Sequence, residues 1–198
     1  MLSACSESKN EYDRDQAVSR VLKVQQLQNL NPGDQTVVPM IEAIVDSMQA
    51  TGRDACYFGA VNVLIDRLFS DGRYAEADSL AVRMQHEASE QNDSVAMAMA
   101  KRVRAQIFFK LSQSERALEE LQSALPYIDH TIRTTPEFGT ATSIYEWIHI
   151  VANVRKDTVW SNFAGLSFTN IVGDEHIAYL WNDTTGHYQA TALAFKAE

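Results

Sequence analysis

Apolar residues along this chain return every three to four positions, in long bursts separated by short polar breaks, which predicts helices and no strands over most of its length. In a first helix over 11–30, Ala17, Val18, Val21 and Leu22 share a face, with Asp13 or Asp15 near its start. Asn31-Pro32-Gly33-Asp34 breaks it. A second helix follows Thr36 and accepts Pro39 in its first turn, where no helical amide is needed. It carries Ile41, Ile44, Val45 and Met48 and stops at Gly52. Asp54 caps a third helix with the stripe Val61, Leu64, Ile65 and Leu68. The turn Ser70-Asp71-Gly72-Arg73 leads into a fourth, with Tyr74, Ala77, Leu80, Ala81 and Met84.

The stretch from Asp93 to Leu125 is the best-formed unit: helix, tight polar turn, helix. Its first helix ends in Ala105 to Leu111, Ser112 and Glu115 have the spacing of a capping box, and the second helix carries Ala117, Leu121 and Ala124 before Leu125-Pro126. The segments 68–77 and 108–117 match in pattern, with Ala77 and Ala117 40 residues apart (117 − 77). Thr135-Pro136-Glu137 opens a further helix with Ala141, Ile144, Tyr145, Ile148 and Val151 on one stripe, and Ala141 stands two such periods from Val61. After a turn at 153–157, Asp157 caps a helix carrying Trp160, Phe163, Ala164, Phe168 and Ile171, which Gly173-Asp174 ends. In the tail, Ile177 to Trp181 and His187 to Phe195 flank Asn182 to Gly186 and suit either a hairpin or a helix. Helix is expected, because Tyr188 to Glu198 is alanine-rich and a lone hairpin would expose its edges. No polar capping element precedes Glu198, so the parent protein is expected to continue.

Composition narrows the function classes. The 198 residues are 45% hydrophobic and 22% charged, ordinary for a globular chain, and eight Gly and four Pro argue against fibrous or disordered stretches. A net charge of −9 with no basic stripe makes nucleic acid and anionic membrane surfaces poor partners. No run of 18 apolar residues spans a membrane. Two cysteines, Cys5 and Cys56, make neither a disulfide framework nor a metal-ligand set.

Leu2-Ser3-Ala4-Cys5, followed by polar Ser6 to Asn10, resembles the lipobox of bacterial lipoproteins. That resemblance implies a diacylglyceryl group on Cys5, a flexible tether over 1–10 and export. The alternative is an unmodified N-terminus. The hairpin at Ser94–Ala124, and less strongly Asp54–Ala88, resembles tetratricopeptide repeats, whose usual period is about 34 residues. The resemblance implies an all-α domain over 11–198, built of antiparallel helical hairpins stacked as a short right-handed superhelix. Lys101 and Arg104 stand where that repeat has an aromatic and a leucine. Together with the lipobox-like start, the repeats resemble the periplasmic sensor region of two-component histidine kinases, and also repeat-containing lipoproteins. The kinase's own phosphoacceptor and ATP-binding motifs are not in this sequence.

Little in the sequence points to catalysis. Glu146-Trp147-Ile148-His149 has the spacing of one half of a di-iron ligand set, but the motif occurs once. His86-Glu87 and Asp129-His130 read as solvated pairs, Cys56 as a small hydrophobe, and Met84, Met97 and Met99 as core filler. Gly165-Leu166-Ser167 lacks the flanks of a nucleophile elbow, and no phosphate-binding loop is present. No cofactor and no metal are expected. In a repeat of this kind the first helix of each pair lines the concave face, so the groove candidates are Asn62, Asp66 and Phe69, then Arg102, Gln106, Phe109 and Lys110, then Glu146 and His149. Arg102, Gln106 and Lys110 form one polar row at i, i+4, i+8. The expected function is non-catalytic binding of a protein or peptide in that groove, by the exported sensory part of a signalling protein or by a surface lipoprotein adaptor. Membrane attachment would come only through Cys5 or a span outside the chain, and a homodimer is an allowed state.

Overall fold

The computed structural model describes residues 16, 19, 20, 22–24, 26, 27, 34, 36–50, 52–128 and 135–172. These form an all-α fold, with no strand among the described residues. The helices are α1 (Val37–Gln49), α2 (Ala55–Ser70), α3 (Tyr74–Gln91), α4 (Ser94–Lys110), α5 (Ser114–Ala124), α6 (Thr135–Arg155) and α7 (Thr158–Val172). A short 3-10 turn, Leu125–Tyr127, follows α5 where Pro126 denies the α-helix a further amide. The lipobox-like start, the breaker at 31–33, the pair Asp129-His130 and the tail 173–198 lie outside the described residues. The chain divides into two compact units, 1–96 and 97–198.

Among the described residues, four helix ends share one device. Gly72, Asn92, Ser112 and Lys156 all have positive φ, at 76°, 55°, 61° and 60°. In each case the next amide reaches back to the carbonyl five residues earlier: Arg73 to Leu68 at 2.9 Å, Asp93 to Ala88 at 2.9 Å, Gln113 to Phe108 at 2.8 Å, Asp157 to Ala152 at 2.9 Å. This is the Schellman closure, which satisfies the last carbonyls of a helix and turns the chain back at once. Gly72 and Ser112 are 40 residues apart (112 − 72), so the matched sequence segments at 68–77 and 108–117 adopt the same turn. Ser112 is therefore the left-handed residue of the turn and not a capping-box residue: α5 starts at Ser114, and Gln113 at its N-cap makes no side-chain capping bond. The two aspartate caps expected from the sequence are formed. Asp54 accepts from the Tyr57 amide at 2.9 Å and Asp157 from the Trp160 amide at 3.1 Å.

In the 1–96 unit, α1 packs on α2 and α2 on α3. Val61, Leu64, Ile65 and Leu68 are buried, with Ala77, Ala81 and Met84 facing into the same core. The alanines have no accessible surface, and their small side chains let the two backbones come close. Of the first helix, Val24 and Leu27 are buried, whereas Leu22 is 53% exposed and lies off the buried face where the sequence pattern put it on the stripe. Ala17, Val18 and Val21 are outside the described residues.

Two buried polar groups staple this unit. Tyr57 on α2 donates its hydroxyl to Glu87 on α3 at 2.7 Å, and both are buried. Arg53 and Arg83 flank the carboxylate at 3.6 and 3.9 Å. Glu87 is thus a core residue and not part of a solvated pair with His86, whose side chain is 76% exposed. Arg67, 2% exposed, donates to Asp71 and to the carbonyl of Asp34, both at 3.0 Å, which pins the segment before α1 to the end of α2.

In the 97–198 unit the core runs through Phe108, Ala117, Leu121, Phe138, Ile144, Ile148 and Phe168. The whole predicted stripe of α6 is buried. On α7 the buried row is Ser161, Ala164, Phe168 and Val172, while Phe163 is 41% exposed and stands edge-on to Trp160 and Tyr145. Lys101 and Arg104 are answered from α5: Arg104 reaches Glu120 at 3.0 Å, and Lys101 reaches Ser123 at 2.9 Å and Glu120 at 3.7 Å. A partly buried ion-pair cluster occupies positions where the hairpin 40 residues earlier has Val61, Leu64 and Leu80.

Burial, and then the bond to Glu87, push the Tyr57 hydroxyl up to about 12 from its ordinary 10. A pKa raised in the folded state contributes stability that is complete below the unfolded value and is lost as pH rises through the folded one. The 1–96 unit should therefore lose stability between pH 10 and about 12 through this group. Tyr57→Phe should remove that part of the alkaline loss, as read by urea unfolding at a series of pH values; an unchanged alkaline slope would contradict the assignment.

Candidate functional site

On the 97–198 unit, α4 and α6 meet through side chains that combine hydrogen-bond donors with aromatic edges. Gln106 is 6% exposed, and one end of its amide faces the Arg102 guanidinium at 2.8 Å and the Trp147 indole at 2.5 Å; both are donors, so the amide oxygen is assigned to that end and accepts from both. A buried amide with two donors on its oxygen is held in one orientation, so it fixes both neighbours. Trp147 also receives the ring of Phe109 edge-on, with centroids 5.9 Å apart and planes at 70°. Arg102, Phe109 and Trp147 are half-buried, and Lys110 at the end of the row is exposed. Arg102, Gln106 and Phe109, chosen from sequence, are thus brought together by a residue that was not chosen. The available signal for Trp147 was an indole beside, not on, the packing stripe of a first-of-pair helix.

Glu146 and His149 are separated by their surroundings. Glu146 is half-buried on α6. His149 is 7% exposed and faces α7, not the row of Arg102 and Lys110. Its Nδ1 lies 3.1 Å from the Ser161 carbonyl, an acceptor only, so Nδ1 carries the proton there and Nε2 accepts from Asn153 at 2.9 Å. Ser161 donates its hydroxyl to the Asn153 oxygen at 2.7 Å, which closes the set. This network joins α6 to α7 and uses both ring nitrogens, which leaves His149 in a packing role.

In the 1–96 unit, Asn62 donates to Asp66 at 3.1 Å along α2, and Phe69 packs on Tyr74 with centroids 5.5 Å apart. These three candidates belong to a different compact unit from the other six. Met84 and Met97 are buried and Met99 is half-buried, in line with core filling. Cys56 is half-buried and not part of a disulfide.

Among the described residues no group of three His, Cys, Asp or Glu side chains is placed to hold a metal ion, and no helix is long and apolar enough to cross a membrane. The α4–α6 face offers a guanidinium, an ammonium and two aromatic rings, the means of holding a chain by charge, hydrogen bonds and ring contact. Comparison with protein-family models, with curated proteins and with solved structures finds no match to this chain.

Proposed function

We propose that this chain is a non-catalytic helical-repeat scaffold of the tetratricopeptide type, stacked as a short right-handed superhelix, that receives a protein or peptide on the face formed by α4 and α6. What carries the proposal is the cluster of Arg102, Gln106, Phe109 and Trp147, a rigid set built on two helices around a buried amide. The matching turns at Gly72 and Ser112, one 40-residue period apart, support the repeat, and the period implies helices slightly longer than usual for the family. As binding scaffold it would serve as the exported sensory part of a two-component signalling protein, in which ligand docking shifts a conformational or dimeric equilibrium. The lipobox-like Leu2 to Cys5 favours a second reading, a lipid-anchored adaptor in a periplasmic or surface assembly.

Selection of a displayed random-peptide library on the chain should yield binders that Arg102→Ala and Lys110→Glu each weaken by about fivefold or more, since each removes a cation worth on the order of 1 kcal/mol to an extended ligand. Circular dichroism should be unchanged in both variants. Binders indifferent to both substitutions, or no enrichment, would contradict a binding role for this face. For anchoring, radioactive fatty acid supplied to expressing cells should label the parent chain and not Cys5→Ala; equal labelling of the two would rule out a lipid on Cys5.

A further inference from the structure

The 1–96 unit carries a second concave feature that the α4–α6 proposal does not use. A cavity of about 660 Å³ lies in the valley between α1 and α3, over α2, within the size range of ligand sites. Its floor is apolar: Val45, Leu64 and Leu68 are 1%, 3% and 3% exposed, and Leu80 is half-buried at the side. At 100° per residue, Leu64 and Leu68 stand roughly 150° around α2 from Asn62, Asp66 and Phe69, so the cavity opens on a different side of that helix.

The walls are charged unevenly. On the α3 side the cations already have carboxylates: Arg73, at the start of that helix, clasps Glu76 with two bonds of 2.7 and 2.6 Å, and Arg83 leans on buried Glu87 at 3.9 Å. On the α1 side, Glu42 and Asp46 are exposed one turn apart; Glu42 feels the charge of Arg73, but neither carboxylate makes a hydrogen bond or ion pair among the described residues. Like charges at this spacing repel each other, and a bound cation would relieve them.

Repetition sharpens the point. Forty residues on, the positions of Leu64, Leu80 and Arg83 are taken by Arg104, Glu120 and Ser123. There the side chains bond to one another, with Arg104 on Glu120 at 3.0 Å and Lys101 on Ser123 at 2.9 Å. One hairpin satisfies its groove positions internally, whereas the other leaves leucines at the bottom of an open cavity beside carboxylates that no hydrogen bond or ion pair engages among the described residues.

We infer that the α1–α3 groove is a docking site for a cationic peptide segment that seats one or two large apolar side chains over Leu64, Leu68 and Leu80 and lays a flanking lysine or arginine on Glu42 and Asp46. The apolar floor supplies affinity and the α1 carboxylates supply selection by charge. A neutral apolar segment would leave the carboxylates without a direct ion pair, and an acidic one would be repelled.

The probe is the hexapeptide acetyl-Gly-Lys-Leu-Leu-Lys-Gly-amide, added to the full chain labelled with nitrogen-15. Saturable shifts are expected at Glu42, Asp46, Ser79 and Leu80, weakening as salt is raised. The double variant Glu42→Lys, Asp46→Lys should bind about tenfold or more weakly with unchanged circular dichroism, because both side chains are exposed. Ser79→Trp, which places an indole in the groove from an exposed position, should block binding while the charges stay in place. The inference is overturned if no saturable shift appears, if the peptide with glutamate in place of lysine binds equally well, or if the double charge reversal has no effect. Shifts at the same residues that follow protein concentration without peptide would assign the groove to a second copy of the chain and overturn it as well.

Discussion

Among the described residues, four helix ends are each closed by one residue in the left-handed conformation, with the following amide bonded to a carbonyl five residues back. Everything downstream depends on that closure. It ends the helix without leaving carbonyls unsatisfied and lets the next helix begin within three residues. Short connections of this kind leave little choice of partner: α2 must meet α3, and α6 must meet α7. Apolar stripes then decide only which faces meet. That α6 also packs on α5, across the longer connection that contains Pro126, is a matter of burial and not of the turn.

The contacts between helices use two chemistries. Alanine at Ala77, Ala81, Ala117 and Ala124 brings backbones close at no side-chain entropy cost. Polar staples then specify which turn of one helix meets which turn of the next, as in Tyr57 with Glu87, Arg67 with the Asp34 carbonyl, Glu120 with Lys101 and Arg104, and His149 with Ser161 and Asn153. A buried polar group is costly unless its partner is in place, so a helix displaced by one turn loses the bond and keeps the desolvation penalty. Apolar burial alone would tolerate such a slip far better.

The helices and the caps at Asp54 and Asp157 were legible in the sequence because both follow local rules. The stripes of α2 and α6 were complete, and Asp54 and Asp157 cap as their positions imply. The equivalence of 68–77 and 108–117 was also readable, since a turn repeats when its flanking pattern repeats. Ser112 was misjudged for a physical reason. Serine is a good N-cap and an indifferent left-handed residue, and the turn imposed the second role from the helix before it. The burial of Glu87 and His149 and the contacts of Trp147 were not legible for another reason. A charged or amphipathic side chain has no periodicity that announces burial, and only the partner across the interface, Tyr57, Ser161 or Gln106, makes burial affordable. Sequence spacing along one helix carries no information about such a partner.

The role given to the left-handed closures is tested most directly at Ser112, which is exposed and sits at φ 61°. Glycine adopts this conformation freely, while a β-branched side chain is strained in it by about 1–2 kcal/mol. Urea unfolding should show Ser112→Gly to be more stable than the parent and Ser112→Val less stable, with the two midpoints moving in opposite directions. If valine leaves stability unchanged or raises it above the glycine variant, the turn does not hold residue 112 in this conformation and the account of how the hairpins close is wrong.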